Sequence, residues 1–397
     1  MKITDIKTFL MQAGSPPNSD AWAANYDTIN TGWRNWLFVK VYTDEGITGV
    51  GECSGWPRVI ETAIHDLKSV LAGEDPGNIE KLWQKMLVAM MGHGMTGVVG
   101  GGAMTGIDMA LWDIKGKALN TPVWNLLGGK LRDRVRIYAH AKTPAVALLL
   151  KGQGITAIKA GGLSEPVRML EALREAIGDD MDLMVDLHGP PWLTASDAIV
   201  LGRKLEKLHL LFMEDAVPPE HIDAYVRIRD AVAVPLAAGE RAANIWGLRP
   251  LIERELIDVV QPDTGRAGGI TQMKKIAAMA EAHGIMLAPH SGSLGPIAEY
   301  AALHVMAAVP NALMLERVEI DWPGRAEVIT PVPQQVDGHL MVPDAPGLGV
   351  DIVEEAVARH PSRSNVGMGK GDYAAGTAGE FVYVQTRLRR AGYFNGR

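Results

Sequence analysis

The stretch LMVDLHG, residues 183–189, reads as a buried strand whose apolar run ends in Asp186 and, two positions on, His188. Strand side chains repeat every two residues, so both groups project from one face. A lone carboxylate is costly to bury, so Asp186 needs a partner. The same form recurs along the chain in RVRIYAH (134–140), ITAIKAG (155–161), HLLFMED (209–215), PLAAGE (235–240), IDVVQPD (257–263), GIMLAPH (284–290) and ALMLE (312–316). Helical patterns separate most of these runs, at 166–177, 194–207, 219–232, 246–254 and 269–283. Alternating strands and helices imply a parallel sheet, and about eight such units predict a closed (β/α)8-type barrel. A dinucleotide-binding sheet fits less well: no strand precedes G-x-G-x-x-G, and the glycines of GVVGGGAMTG (97–106) miss that spacing.

Outside the barrel, residues 1–130 read as an α+β unit. MKITDIKTFL opens it as a first strand, carrying acidic Asp5, and not as a signal peptide. WLFVKVYTD (36–44) and GITGVGEC (46–53) form two strands around a turn at Asp44-Glu45-Gly46. Three helices follow at 58–72, 78–91 and 101–119, the last stopped near Pro122. Residues 317–350 are turn-rich, and a tail, 361–397, is rich in Gly, Ser and Arg. The net charge of −7 disfavours nucleic-acid and membrane partners, and no apolar run is long enough to span a bilayer. A single cysteine, Cys53, rules out an internal disulfide framework and fits a reducing, cytoplasmic setting.

The last residues of the runs, in order, are Lys159, Asp186 with His188, Glu214, Glu240, Asp263, His290 and Glu316. One acidic strand end is ordinarily a helix cap or a solvated loop residue. Seven in phase are not, because strand ends in a barrel converge on the mouth that carries its chemistry. Asp186, Glu214 and Glu240 end consecutive strands, so the three carboxylates should meet. Two arrangements relieve their repulsion: a divalent cation between them, Mg2+ or Mn2+ for an all-oxygen donor set, or a network with Lys159 and Arg241. Asp263 beside His290 makes a general-base pair, because the carboxylate fixes the ring's tautomer and raises its basicity. His188 would face it across the mouth. Glu316 has two readings: a carboxyl kept protonated to donate to an oxyanion, or a simple ion pair with Lys or Arg.

On these residues the sequence resembles the enolase superfamily in its mandelate racemase subgroup, and within it the sugar-acid dehydratases. IDMALWDIKGKALNTPVWNLLGG (107–129), AAGER (237–241), VVQPDTGRAGGIT (259–271) and VPDAPGLGV (342–350) share in the resemblance, which spans roughly residues 1–355. It implies a modified TIM barrel, (β/α)7β, over 131–325, an N-terminal α+β capping domain over 1–130, and a return to the cap with a tail over 326–397. It implies Mg2+ on Asp186, Glu214 and Glu240, a base dyad of His290 and Asp263, and Glu316 and Lys159 near the substrate carboxylate. Racemases of this type carry K-x-K on the second barrel strand; here the stretch is Lys159-Ala160-Gly161, and the second lysine is missing. His188 matches the acid/base of galactonate-type dehydratases.

The implied reaction is Mg-dependent removal of the α-proton of an aldonate, or next an aldarate, with loss of the 3-hydroxyl to give a 2-keto-3-deoxy acid. Trp22, Asn25, Tyr26, Arg34, His93 and Arg241 are candidates for substrate contact, and a homo-oligomer is expected. Epimerisation of a sugar acid and cycloisomerisation of a lactone are rivals on the same scaffold. A metal-dependent hydrolase is more distant, since the trio lacks a His-rich pattern, and GECSG (51–55) does not supply the G-x-S-x-G of a serine hydrolase.

Overall fold

The computed structural model describes residues 1–14, 34–90, 97–162, 165–188, 192–291, 294–318 and 322–362. Three antiparallel strands, β1 (Ile3–Ala13), β2 (Arg34–Thr43) and β3 (Thr48–Cys53), form a sheet with β2 in the middle. Helices α1 (Pro57–Leu71), α2 (Ile79–Ala89) and α3 (Val98–Ala118) bury their apolar residues in a shared core with this sheet. The alternate glycines of GITGVGEC exist for α3: a Cβ on Gly49 or Gly51 would lie about 2 Å from the carbonyl oxygen of Ala110 or Gly106.

The eight barrel strands and seven helices alternate as β4 (Arg134–His140), α4 (Pro144–Gly152), β5 (Ala157–Gly161), α5 (Pro166–Ile177), β6 (Asp182–Asp186), α6 (Ala195–Leu205), β7 (Met213–Glu214), α7 (Ile222–Arg229), β8 (Leu236–Ala238), α8 (Asn244–Glu253), β9 (Val259–Val260), α9 (Gly269–Ala282), β10 (Met286–Leu287), α10 (Pro296–Ala308) and β11 (Leu315–Glu316). Neighbours from β4 to β10 pair in parallel, and β11 pairs with β4. A parallel bridge from Leu287 to Ala312 joins β10 to the β11 segment and closes the ring. The architecture is therefore (β/α)7β behind an α+β cap, as the resemblance implies.

The strands are shorter than the apolar runs suggest. HLLFMED contributes only Met213–Glu214 and IDVVQPD only Val259–Val260. Before β7 the chain is a 3-10 turn closed by His209 in the left-handed region. After β9, Pro262 has no N–H to give to a ladder. Glu240, Asp263 and His290 thus lie two or three residues past their strands, although Asp263 and His290 still form a parallel bridge.

The barrel's interior plug is Tyr138, Ala157, Met184, Phe212, Ala237, Val259, Ala288 and Met314. Two residues after all but Ala237 comes a polar group: His140, Lys159, Asp186, Glu214, Gln261, His290 and Glu316. The strand period of two that packs the plug therefore also aims the mouth. Beyond β11 the chain pairs His339–Met341 with the start of β4. It then returns to the cap, where Lys40 on β2 meets Asp351 and Glu354 at 3.3 and 2.8 Å and the Gln12 N–H donates to the His360 carbonyl. Among the described residues no helix is long and apolar enough to cross a membrane.

His304, on α10, is fully buried; its Nδ1 accepts from the Trp124 N–H and its Nε2 donates to the Leu348 carbonyl. That pattern requires a neutral ring, and burial pushes its pKa from 6.5 down to about 4. Between those values the unfolded chain binds the proton that the folded chain refuses, so stability falls as pH drops from about 7 to about 4, by about 3 kcal/mol from this group. Urea melts across that range should show a shallower acid loss for His304→Gln than for the wild type.

Candidate active site

Lys159, at the end of β5, is 1% exposed and is the hub of the mouth. Its Nζ lies 2.7 Å from Glu214 Oε2, 2.8 Å from Glu316 Oε1 and 3.4 Å from Asp186 Oδ2. Asp186 and Glu214 are register partners on β6 and β7, which is why one amine reaches both. Glu214 also accepts from the Gln261 amide at 2.9 Å, while its Oε1 is buried without a hydrogen bond.

Two imidazoles flank this hub. His188 leaves β6 just past its end and donates Nδ1–H to Asp186 Oδ1 at 2.7 Å, with its side chain 47% exposed. His290 is 12% exposed and lies between carboxylates: Nδ1 to Asp263 Oδ2 at 2.6 Å, Nε2 to Glu240 Oε2 at 3.0 Å. Arg241 reaches Glu240 and Asp215, each at 3.3 Å, with its guanidinium 4.9 Å from the centre of the Trp192 ring.

Six carboxyls (Asp186, Glu214, Asp215, Glu240, Asp263 and Glu316) thus face Lys159, Arg241, Arg266 and the imidazoles of His140, His188 and His290. Burial and these neighbours set the protonation of the site. Burial works against charge on His290, yet Glu240, Glu316 and Asp263 hold its pKa well above 6.5. Burial likewise opposes charge on His188, but Asp186 raises it to about 9. Burial and the Asp186 charge push Glu214 up to about 8; burial and Glu240 push Asp215 to about 7. Glu214 and Asp215 each keep a buried oxygen without a hydrogen bond. The site is short of positive charge, and the shortage sits at Glu214 and Asp215, the first of which is one of the three carboxylates expected to hold a cation.

That is what a divalent cation would relieve, and an all-oxygen donor set suits Mg2+. As the side chains stand, no three His, Cys, Asp or Glu groups among the described residues are gathered to hold an ion, each carboxylate having turned to a cationic neighbour. The network of carboxylates with Lys159 and Arg241, the other arrangement weighed from spacing, is present. The residues fit the ion if these carboxylates turn from protein cations toward it.

Glu316 corrects one expectation. It is not kept protonated: against the cost of burial, Lys159, His290 and His140 hold it well below the usual carboxylate range. His140 lies 2.7 Å from its Oε1 and the Ser291 N–H donates to Oε2 at 2.8 Å. It is an ion pair. Arg34 lies with its guanidinium over the Trp36 ring at 5.1 Å. Trp22, Asn25, Tyr26 and His93 lie outside the described residues.

Sequence reasoning missed Gln261, Asp215, Ser54 and Arg266. Gln261 was legible, two positions after the inward-facing Val259. Asp215 is brought inward by a left-handed backbone, φ 43°, which no pattern signalled. Ser54 and Arg266 both hold Asp263, at 2.7 and 3.0 Å, and Ser54 comes from the cap sheet, far away in sequence.

Comparison with known proteins gives this geometry a lineage. Residues 144–356 match the enolase C-terminal domain-like family, and residues 24–128 match the mandelate racemase / muconate lactonizing enzyme N-terminal domain. The chain belongs to the mandelate racemase / muconate lactonizing enzyme branch of the enolase superfamily. It is 39% identical over 363 residues to a D-galactonate dehydratase of Klebsiella pneumoniae (strain 342), covering 84% of this chain and 94% of that one. The 3,6-anhydro-D-galactonate cycloisomerase from Zobellia galactanivorans has a similar structure, with TM-score 0.82 and 33% identity, covering 91% of this chain and all of that one. An enolase from Pantoea ananatis with bound D-gluconate and Mg gives TM-score 0.80 at 29% identity, covering 92% and 95%.

Replacing the hub tests the electrostatics without reference to turnover. Lys159→Met leaves Glu214, Glu316 and Asp186 facing one another in a buried space. In the presence of a chelator it should destabilise the fold by about 3–5 kcal/mol in denaturant melts, the cost of removing one partner of a buried pair.

Proposed function

We propose that the chain dehydrates a sugar acid, an aldonate before an aldarate, to a 2-keto-3-deoxy acid. His290 is the base that takes the α-proton and His188 the acid that gives a proton to the departing 3-hydroxyl. The observation that carries this reading is the asymmetry of the mouth: one buried imidazole backed by a carboxylate, and one half-exposed imidazolium held by another. On β5 the position two past Lys159 is Gly161, so that strand offers no second base. One acid and one base on different strands suit elimination; a racemase needs a base for each face of the α-carbon.

Each group's part follows from its contacts. Asp263 keeps the proton of His290 on Nδ1, so Nε2 is the nitrogen that works as base. Asp186 holds His188 protonated until the hydroxyl departs, and hydroxide is a poor leaving group without it. Lys159 brings a fixed positive charge to the mouth. Asp186, Glu214 and Glu240 would hold Mg2+, which supplies positive charge to the substrate carboxylate as negative charge builds on it. Arg241, over the Trp192 ring, would bind substrate hydroxyls. The division into a cap to residue 130 and a barrel to 325 belongs to this reading.

The likeness to the Zobellia enzyme favours one other outcome. If the substrate is a cyclic ether acid, the same acid could protonate the ring oxygen, and the product would be an isomer of the substrate. Product mass separates the two: dehydration loses one water and ring opening loses none.

An acid-sugar library incubated with Mg2+ should yield 2-keto-3-deoxy product from at least one aldonate, and absence of product from every acid sugar sinks the reading. A chelator should abolish that activity and Mg2+ or Mn2+ should restore it. With the active substrate, His188→Asn should retain exchange of the α-proton with solvent deuterium while dehydration falls by about a hundredfold or more. Dehydration at the wild-type rate in that variant would remove His188 from its role.

A further inference from the structure

The motif GECSG, at the end of β3, is too far from serine-hydrolase spacing to be a nucleophile, yet it reaches the base dyad. Strand alternation sends Cys53 into the cap core and Glu52 to the other side, against the barrel. Ser54, just past the strand, is 6% exposed. Its hydroxyl donates to Asp263 Oδ1 at 2.7 Å and its N–H donates to the Gly265 carbonyl at 2.8 Å. The junction has no slack, since a Cβ on Gly265 would lie 2.8 Å from the Ser54 Cβ and Oγ.

Glu52 does the corresponding work at the other half of the dyad. Its Oε2 accepts the Ala298 N–H at 2.9 Å and its Oε1 the Gly295 N–H, so it caps the N-terminus of α10, the helix that follows His290. A helix N-terminus favours a buried carboxylate there. Two residues at the end of one cap strand therefore hold Asp263 itself and the start of the helix that follows His290.

We propose that Ser54 is a positioning residue for proton abstraction. The cap sheet supplies the hydroxyl that fixes Asp263, so that Asp263 Oδ2 stays aimed at His290 Nδ1. Asp263 has four polar contacts: it accepts hydrogen bonds from Ser54 and Gly265 on Oδ1 and from His290 on Oδ2, and Oδ2 also pairs with the Arg266 guanidinium at 3.0 Å. Rotation of the carboxylate would turn the His290 ring with it. Ser54 and Gly265 oppose that rotation from the far side, and Ser54 is the one of the four that belongs to the cap. The role rests on the dehydratase reading above, in which His290 is the base.

The test uses the full chain with Mg2+ and the aldonate it turns over. Ser54→Ala should lower kcat about tenfold, as expected for losing one charge-assisted hydrogen bond, with KM within about twofold. The primary isotope effect on kcat for substrate deuterated at the α-carbon should rise, because proton removal becomes the slower step. In an Asp263→Asn background the same change should cost no further rate, since Ser54 acts through Asp263. A merely structural serine would leave the isotope effect unchanged and its loss would multiply with that of Asp263→Asn; either result overturns the proposal. A wild-type chain that turns over no acid sugar overturns the dehydratase reading itself, and this role falls with it.

Discussion

The structure depends on one buried ammonium. Lys159 sits beneath the mouth with three carboxylates within 3.4 Å, and each carboxylate comes from a different strand. Like charges drawn that close in a water-poor space repel strongly, and the barrel can bring these strand ends together only if positive charge is fixed among them. The Tyr138 ring, 5.5 Å below the amine, adds an apolar floor whose π-face also favours the cation. The pattern is self-consistent: the plug closes the barrel from below, the lysine neutralises the layer above it, and the histidines and arginines complete the rim. Even so the balance falls short, and Glu214 and Asp215 hold protons that isolated carboxyls would release. A site that still holds two carboxyl pKa values up among these cationic side chains is built to take up more positive charge.

Much of this was legible in the sequence, for a physical reason. The mouth groups stand two residues beyond the apolar residues that plug the barrel, so the alternation that must be kept for packing also fixes where Asp186, Glu214, Glu316 and Lys159 point. The eight-fold repeat and the α+β cap followed from the same periodicities. Strand lengths did not, because hydrophobicity marks burial and not ladder pairing: Leu210 and Phe212 are buried although only Met213 and Glu214 pair as a strand.

What the sequence hid depends on backbone detail or on distance along the chain. Asp215 turns inward only because its backbone is left-handed, at a non-glycine residue where burial and Arg241 hold it. Ser54 meets Asp263 across 209 residues, a contact that no local pattern encodes. The charge state of Glu316 depended on which neighbours were closest. Crowding by other carboxylates alone would have kept its proton; Lys159 and His140, each within 2.8 Å, remove it.

The two histidines show how one pool of negative charge can serve opposite tasks. Both rings are held protonated, so charge alone does not make one an acid and the other a base; the distinction lies in which nitrogen is committed. His290 has Nδ1 tied to Asp263, so when the proton on Nε2 leaves, the ring relaxes to a neutral tautomer that is already hydrogen-bonded correctly. Glu240 holds that proton directly, Glu316 pulls more weakly at 3.7 Å, and Asp263 favours the charged ring from the other nitrogen. Any positive charge that draws on Glu240 therefore loosens that proton without moving the ring. His188 has Nδ1 tied to Asp186 and, among the described residues, no partner on Nε2; its half-exposed ring presents a proton outward. Adding charge at the trio thus weakens the hold on a proton that must be absent from Nε2 of His290, while the proton His188 must deliver lies on a nitrogen that no carboxylate among the described residues bonds.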